Sequence, residues 1–339
     1  MKRPLTTLLI ALAALTLCLG LAACGEKSED EGTEPEPFTL ILDFYPNPDH
    51  VGIYQAQKLG YFRDAGLDLG IESPSDPAAP IKQVAAGRAD LAISYEPEVL
   101  LAREQGLDVK AVGALVDQPL TSLIWIRKSG IKRLGDLRGK TIATAGIPYQ
   151  DAFLETILAR VNLSPDDVKK VNVGLNLLPA VLGGRAAAML GGFRNVEGID
   201  LKLRGARPTV TPVDELGVPT YDELVFVANA SRIEEDPEPI RLFLAAMARG
   251  TAAAVERPNA ATEALLEQNR DLDPRLTRAE VKATIPVLSQ ATPQQPYGHM
   301  DRDEWREFIG WMRDNGLISS LPPPEAVLTE ELLPGKIPE

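Results

Sequence analysis

The stretch that most constrains the fold runs from residue 38 to residue 72, where two apolar segments flank a turn and a helical segment. Residues 38–43 have the apolar composition of a buried strand, and Pro46 and Pro48 interrupt it. A second strand begins after residues 66–68. This succession predicts a βαβ unit whose first turn lies at the carboxyl edge of a sheet, where ligands bind in open α/β proteins.

Strand and helix patterns alternate along the rest of the chain. Further apolar segments are predicted as strands at residues 89–94, 109–115, 141–145, 171–175, 186–190 and 224–228. The last third of the chain is predicted to be largely helical, at residues 237–256, 259–268, 277–289 and 301–315. Strands that alternate with helices at this spacing favour an α/β protein with a parallel sheet and helices on both faces.

The length of 339 residues is sufficient for two domains, each with its own core. We expect the chain to cross between two lobes within residues 119–126 and to return within residues 221–230, where the strand is too apolar to be exposed. The predicted boundaries are 38–122 with 226–321 for the first lobe, 123–225 for the second, and 322–339 for an irregular C-terminal tail.

The N-terminus resembles the leader of a bacterial lipoprotein. Lys2 and Arg3 precede an apolar run over residues 5–21, and the run ends in the sequence LAAC, which resembles a lipobox. This pattern predicts that residues 1–23 are a signal peptide and that Cys24 carries a lipid. A simple N-terminal transmembrane anchor is the alternative.

The segment after the leader is predicted to be a tether. Residues 24–37 are acidic, contain prolines and have almost no apolar side chain to bury, so they are expected to be disordered. Cys18 lies within the predicted leader, which leaves Cys24 alone in the processed chain. A protein outside the cytoplasm with a single acylated cysteine is expected to have neither a disulfide nor thiol chemistry.

The charge balance argues against one class of partner. The formal net charge is −13, and no basic stripe interrupts the acidic surface that this charge implies. Because nucleic-acid phosphates would be repelled, a nucleic-acid-binding function is not expected.

The sequence also lacks the usual signs of catalysis. Its two histidines, His50 and His299, have no second His or Cys at ligand spacing, and the motifs for zinc, calcium, phosphate-loop or nucleophile-elbow sites are missing. The glycine pairs 183–184 and 191–192 are typical of tight turns, although a close approach of a ligand to residues 191–192 is an alternative. We therefore predict no catalytic residue, no metal and no cofactor.

The remaining pattern is that of a binding site. A flat nitrogenous ring is held by aromatic faces on its two sides and by carboxylates at its edge. Aromatic residues stand at predicted turns after strands, at Phe44, Tyr45, Tyr54, Tyr95, Tyr149 and Phe193. Carboxylates stand beside them, at Asp43, Glu96, Glu98 and Glu197.

The opening turn also carries a family resemblance. Residues 43–56 follow the pattern D-[FW]-x-P-N-x-x-H-x-G-x-Y-x-A, and the segments GYF and GLDL come after it. This pattern resembles the thiamine-pyrimidine-binding branch of the periplasmic binding proteins, which is related to the fungal hydroxymethylpyrimidine synthases. The resemblance implies a type II periplasmic-binding-protein fold, in which two α/β lobes enclose a ligand cleft.

The resemblance also implies site residues. Phe44 stands where the pyrimidine-binding relatives usually carry Trp, and the stacking role is carried over with that departure. Glu197 resembles the acidic residue of the second-lobe loop that pairs with the amino edge of the ring. The complete set of predicted ligand-binding residues is Asp43, Phe44, Asn47, His50, Tyr54, Tyr95, Tyr149, Phe193, Asn195 and Glu197.

Several of these residues have structural alternatives. Asp43 could cap the following helix, since Asp before a helix accepts backbone N–H groups. Tyr54 lies at helical spacing from His50 and could belong to the core. Tyr149 could simply follow a turn proline, and Glu98 could interact with a helix dipole.

The implied function is that of a substrate-binding lipoprotein of an ABC importer, with permease and ATPase subunits as partners. The expected ligand is a thiamine-related aminopyrimidine of the formylaminopyrimidine or hydroxymethylpyrimidine type, and the protein is expected to be an extracytoplasmic monomer. Riboflavin or another aromatic heterocycle is the alternative ligand, and sulfonate and nitrate are weaker candidates. Synthase activity is not expected, because Glu98 stands where the synthases have their reactive histidine and residues 224–228 contain no cysteine.

Overall fold

The structure is a computed structural model, and it describes residues 34–76 and 78–335. The strands of this part are β1 (Glu36–Ile41), β2 (Leu67–Glu72), β3 (Leu91–Ser94), β4 (Val109–Val116), β5 (Thr121–Ile126), β6 (Thr141–Thr144), β7 (Lys169–Asn172), β8 (Ala188–Phe193), β9 (Pro208–Pro212) and β10 (Leu224–Asn229). The predicted signal peptide and the lipid on Cys24 lie outside the described residues.

The helices fall into two groups along the chain. Those before β10 are α1 (Val51–Lys58), α2 (Tyr61–Asp64), α3 (Ala79–Ala85), α4 (Glu96–Glu104), α5 (Tyr149–Ala159), α6 (Leu177–Leu182) and α7 (Glu197–Leu203). Those after β10 are α8 (Ala230–Glu235), α9 (Glu238–Glu256), α10 (Pro258–Gln268), α11 (Pro274–Thr284), α12 (Arg302–Asp314) and α13 (Pro324–Val327). The helical last third of the chain therefore agrees with the prediction. The predicted helix at 277–289 instead begins at Pro274 and ends at Thr284.

The first sheet has the strand order β2-β1-β3-β10-β4. β1 pairs in parallel with β2 and β3, and Leu40 lies opposite Ile71 on one side and Leu91 on the other. β10 is antiparallel to both of its neighbours, β3 and β4. Its residues LVFVA are all buried, because a strand in the middle of a covered sheet has no face exposed to water.

The second sheet has the strand order β7-β6-β8-β5-β9. β6 pairs in parallel with β7 and β8, whereas β5 is antiparallel to β8 and β9. The residues of β5 were expected only as a crossing between lobes, and β9 was not predicted from the sequence. Its sequence, PTVTP, contains two prolines, which a strand tolerates at the edge of a sheet, where β9 lies.

The predicted parallel pairing holds for only part of each sheet, because each sheet is mixed. The alternating strand and helix pattern correctly gave the parallel strands β1 to β3 and β6 to β8. β5 and β10 are the strands that follow the two segments linking the sheets. Each of them runs antiparallel to both of its neighbours. The predicted lobe boundaries at residues 122 and 225 fall inside these two strands, and the boundaries remain a prediction.

Both ends of the described chain are more ordered than predicted. β1 begins at Glu36, whose N–H donates to the carbonyl of Gly66, so the last two residues of the predicted tether belong to the sheet. In the predicted irregular tail, α13 is followed by a bridge between Leu328 and Ala111 of β4. Val327, Leu328 and Leu332 are buried, and this apolar burial explains why the segment packs on the first sheet.

The chain passes between the sheets in two segments, one just before β5 and one just before β10. One buried carboxyl group joins these two segments. Glu223, just before β10, accepts the N–H groups of Leu120 and Thr121, each at 2.7 Å. It also accepts the hydroxyl groups of Thr121 and Tyr221, at 2.8 and 2.9 Å. A carboxylate satisfied by four donors can remain buried, and it fixes the two segments against each other.

Among the residues that the structure describes, no helix combines the length and the apolar character needed to cross a membrane.

Candidate functional site

A cleft of about 210 Å³ lies at the ends of strands from both sheets. The first sheet contributes the turn after β1 and Tyr95 after β3. The second sheet contributes Thr121 of β5, the loop after β6, and the end of β8. The lining residues are Asp43, Phe44, Tyr45, Pro46, Asn47, Pro48, Tyr95, Thr121, Ala145, Ile147, Tyr149, Gln150, Leu175, Leu177, Gly191, Phe193, Val196, Glu197, Leu272, Leu276 and Glu280.

The turn after β1 is held by a hydrogen-bond network. Asn47 caps the short 3-10 helix Pro48–His50 by accepting the N–H of Asp49 at 2.8 Å. Asp43 accepts hydrogen bonds from Nε2 of His50 and from the hydroxyl of Tyr95, each at 2.9 Å. The helix-cap alternative for Asp43 was therefore wrong, because Asn47 is the cap.

Aromatic side chains from both sheets meet at the cleft. Phe44 packs edge-on against Tyr45, with ring centroids 5.4 Å apart. The rings of Tyr95, after β3, and Tyr149, at the start of α5, are 6.2 Å apart. Burial raises the pKa of both tyrosine hydroxyls well above the ordinary value, and the nearby Asp43 raises the pKa of Tyr95 further. These hydroxyls are therefore neutral hydrogen-bonding groups.

The second-sheet wall is formed by the turn from β8 into α7. Phe193 ends β8 and Glu197 begins α7, and the carboxyl group of Glu197 accepts the N–H of Phe193 at 2.7 Å. Burial raises the pKa of Glu197, and the hydrogen bond from Phe193 opposes that effect.

Gly191 of β8 allows a close approach within this wall. Its φ is +107°, and a Cβ atom at this position would lie 2.5 Å from Nε2 of Gln150. Gln150 in turn accepts the N–H of Ala145 at 2.9 Å, which fixes its amide at the cleft. Residue 191 therefore accommodates both a left-handed backbone and a neighbouring amide, as glycine alone can do without strain.

Seven of the ten predicted site residues line the cleft: Asp43, Phe44, Asn47, Tyr95, Tyr149, Phe193 and Glu197. That these residues contact a ligand remains a prediction. The turn that carries Phe44 and the turn that carries Glu197 lie on the same cavity, although they are separated by about 150 positions in the sequence.

Three predicted site residues lie behind the cleft wall. His50 is fully buried, accepts the N–H of Asn47 through Nδ1, and supports Asp43 rather than lining the cavity. Tyr54 faces the core because α1 turns it away from the opening turn, as its structural alternative proposed. Asn195 is also buried away from the cavity.

Asn195 joins three parts of the chain. Its Nδ2 donates to Oδ1 of Asp49 at 2.6 Å and to the hydroxyl of Thr284 at 2.8 Å. Asp49 follows β1, Asn195 follows β8 and Thr284 ends α11. The bonds therefore tie the two cleft walls to the C-terminal helices. Burial raises the pKa of Asp49 well above its ordinary value, and the hydrogen bond from Asn195 opposes that effect.

The cleft is also lined by residues that were not predicted from the sequence. Thr121, Gln150, Leu272, Leu276 and Glu280 were missed. A usable signal existed for Glu280, because it lies four residues after Leu276 on the apolar side of a helical pattern. A carboxylate on an apolar face is rarely structural unless it has a partner.

The titratable groups of the cleft lining are carboxyl groups and tyrosine hydroxyls. The lining includes three carboxyl groups, those of Asp43, Glu197 and Glu280, and no Lys, Arg or His among the described residues. Arg194 is adjacent in sequence to the second wall, but its guanidinium donates to Gln118 and does not line the cavity. The cleft is therefore suited to a ligand that offers hydrogen-bond donors or positive charge.

Glu98 is buried beside this site without lining it. Its carboxyl group accepts the hydroxyl of Ser94 at 2.9 Å, and burial raises its pKa to about 7.

This architecture, two mixed α/β sheets with a cleft at their strand ends, is that of a periplasmic binding protein. An alkanesulfonate-binding protein from Xanthomonas axonopodis pv. citri superimposes with a TM-score of 0.70 at 15% identity, covering 88% of this chain and 99% of that chain. The chain belongs to the NMT1/THI5-like family, which matches residues 47–261.

Three curated relatives align over most of their length. A Haemophilus influenzae protein named for thiamine biosynthesis is 35% identical over 284 residues, 84% of this chain and 88% of its own. The formylaminopyrimidine-binding protein of Halalkalibacterium halodurans is 33% identical over 304 residues, 89% of this chain and 92% of its own. A hydroxymethylpyrimidine phosphate synthase of Legionella pneumophila is 28% identical over 255 residues, 74% of this chain and 80% of its own.

Proposed function

We propose that the protein is the substrate receptor of an ABC importer and that it binds a thiamine-related aminopyrimidine of the formylaminopyrimidine type. One observation carries the proposal: Phe44 and Glu197, which come from different sheets, line one cavity. Aromatic faces supply buried area for a flat ring, and a carboxyl group orients its amino edge. The relative named as a formylaminopyrimidine-binding protein supports this choice of ligand.

Transport follows from closure of the cleft. A ligand that contacts residues of both sheets binds the closed arrangement more tightly than an open one, so it shifts the population toward closure. The importer's membrane subunits would then recognise the closed, monomeric receptor.

The cleft favours this ligand over anions and the receptor role over catalysis. Sulfonate or nitrate would be favoured by a cation, and the described lining residues include none, whereas their carboxyl groups disfavour an anion. For synthase activity, the relevant position is Glu98, which is buried and bonded to Ser94 outside the cavity. We therefore propose a binding protein without enzymatic activity.

Calorimetry of the purified protein tests the ligand. We expect a formylaminopyrimidine to bind with a Kd of about 10 μM or tighter, and an alkanesulfonate to give no heat. Heat from riboflavin with none from aminopyrimidines would transfer the assignment to a flavin.

We also propose an extracytoplasmic location with a lipid on Cys24. Cys24→Ala should remain unprocessed or become soluble, because the acylated thiol is lost. Metabolic labelling with a radioactive fatty acid measures this, with Ser28→Ala as a control within the same predicted tether. Normal labelling of the Cys24→Ala protein would exclude the anchor.

A further inference from the structure

The third wall of the cleft is formed by α11. Leu276 and Glu280 line the cavity, and Thr284, one turn further along, bonds to Asn195. These positions are four residues apart, so they share one face of the helix. Glu280 is therefore held in place toward the cavity by a helix that is anchored at its end.

Glu280 is a buried carboxyl group without a partner. It is 6% exposed, and among the residues that the structure describes no hydrogen-bond donor or cation reaches it. Buried carboxyl groups are normally paired or hydrogen-bonded. An unpaired carboxyl group that lines a cavity can both accept hydrogen bonds from a ligand and donate its proton to that ligand.

We propose that Glu280 binds the ligand as a protonated carboxylic acid, donating its proton to a ring nitrogen while its carbonyl oxygen accepts from the adjacent amino group. The inference rests on the proposed function and adds a specificity-determining residue to it. A carboxylic acid has one donor and one acceptor side by side. The edge of a neutral aminopyrimidine has the complementary pair, a ring nitrogen and an amino group.

The surroundings keep this proton in place at neutral pH. Burial raises the pKa of Glu280 to about 8, and the neighbouring carboxylates add to the effect, Glu197 most strongly. The titratable groups on the elements packed around it include Asp49 and His50 after β1, with His50 bonded to Asp43. They also include Glu197 and Asp200 on α7 with Arg204 bonded to Asp200, Asp273 before α11, and Glu263 of α10 paired with Arg278. The cationic partners belong to Asp200 and Glu263 and leave Glu280 unpaired.

The proton gives the inference a distinct pH signature. Since the bound form needs the proton, affinity should be nearly constant below the pKa of Glu280 and should fall as pH rises through it. A carboxylate that paired with a ligand of fixed positive charge would give the opposite trend.

The test is calorimetry of the purified protein with 4-amino-5-hydroxymethyl-2-methylpyrimidine from pH 6.5 to 9.5. For the wild type, we expect affinity to fall about tenfold or more between pH 7.5 and 9.5. Glu280→Gln retains a donor and an acceptor that cannot titrate. It should bind about three- to tenfold more weakly at pH 7 and should lose the decline. Glu280→Leu should bind more weakly than Glu280→Gln at every pH.

The matched control is Glu235→Gln, an exposed glutamate on α8, which should reproduce the wild-type profile. Thermal unfolding of each variant verifies folding. A decline that persists in Glu280→Gln, or equal affinities of wild type and Glu280→Leu, would overturn the inference while leaving the receptor function intact. No heat from any aminopyrimidine with the wild type would overturn both.

Discussion

Asp43 and Glu197 both line the cleft, but their carboxyl groups have different surroundings. Both oxygens of Asp43 accept hydrogen bonds from buried side chains, one from His50 and one from Tyr95. Glu197 accepts a backbone N–H, and no side chain in the described part of the chain donates to it. Asp43 therefore stabilises the opening turn, whereas Glu197 retains acceptor capacity for a ligand.

Glu197→Gln should weaken aminopyrimidine binding by about 1.5–3 kcal/mol, because a charge-assisted hydrogen bond to the ligand is replaced by a neutral one. Calorimetry at pH 7 measures the loss. Glu215→Gln is the control, since Glu215 is an exposed glutamate between β9 and β10. An unchanged affinity in the Glu197 variant would remove this residue from the site.

At the scale of elements, the packing of α9 on α1 supports the opening turn. Gly250 of α9 and Gly52 of α1 allow the two backbones to come close together. A Cβ atom on Gly250 would lie 2.6 Å from the carbonyl oxygen of Gly52 and 2.4 Å from the Cβ of Ala56. Because backbone atoms cannot yield as a side chain does, this contact sets the position of α1 and of the turn before it.

Gly250→Ala should destabilise the protein by about 1–3 kcal/mol, because the added methyl group overpacks this contact. Gly310→Ala is the matched control. Gly310 lies in the interior of α12 with no atom within 4 Å of an added Cβ, so alanine should stabilise by about 0.5–1 kcal/mol. Urea denaturation measures both changes. Equal effects at the two positions would show that helix propensity, and not the contact, determines the result.

At the scale of the whole molecule, the fold buries several carboxyl groups. Burial raises the pKa of Asp222 to about 8 and that of Glu98 to about 7, and it also raises the pKa of Glu96. Asp222 accepts the indole N–H of Trp305 at 2.7 Å, and its own N–H donates to Glu96 at 2.8 Å. Asp222 lies just before β10, and Glu96 and Glu98 lie in the first turn of α4, so proton binding by these groups is coupled to the packing of these two segments.

The folded protein should therefore be less stable at pH 9 than at pH 6. Because the folded pKa values are raised, the folded state holds protons that the unfolded state releases from about pH 4. The contribution of these groups to the free energy of unfolding is therefore fully present below about pH 4. It is lost progressively as pH rises to about 8. We expect a loss of roughly 2 kcal/mol or more between pH 6 and pH 9, measured by urea denaturation.

Asp222→Asn provides the control for this pH dependence. The amide oxygen can still accept the indole N–H of Trp305, but the residue no longer titrates. The loss of stability with pH should therefore be smaller in this variant. Stability that rose from pH 6 to pH 9 in the wild type would contradict the assignment of raised pKa values to these carboxyl groups.

Much of the fold was accessible from the sequence because its signals are local. Apolar runs marked the parallel strands, and the prolines of the opening turn marked the end of β1. Gly87, with φ of +66°, lies just after α3, which is a position typical of glycine at the end of a helix. The edge strand β9 escaped prediction because its prolines are typical of a loop, and only pairing with β5 makes it a strand.

A smaller part of the candidate site could be predicted from the sequence. The predicted residues that follow β1 and β3 line one cavity, since the carboxyl ends of these neighbouring parallel strands meet at one edge. Tyr54 and Asn195 were misplaced because their orientation depends on how α1 and the turn after β8 pack. Glu280 was missed because it lies more than 80 positions beyond Glu197 in the sequence and reaches the cleft only in the folded chain.

The sequence by itself determined the alternation of strands and helices and the aromatic, acidic character of the turns. These properties depend on side-chain periodicity and backbone preference within a few residues. The tertiary structure alone decided the antiparallel entry of β5 and β10, the side chains that face the cavity, and the burial of Glu280 without a partner. These outcomes depend on contacts between segments that are distant in the chain, and no local pattern specifies which face of an element its neighbour will cover.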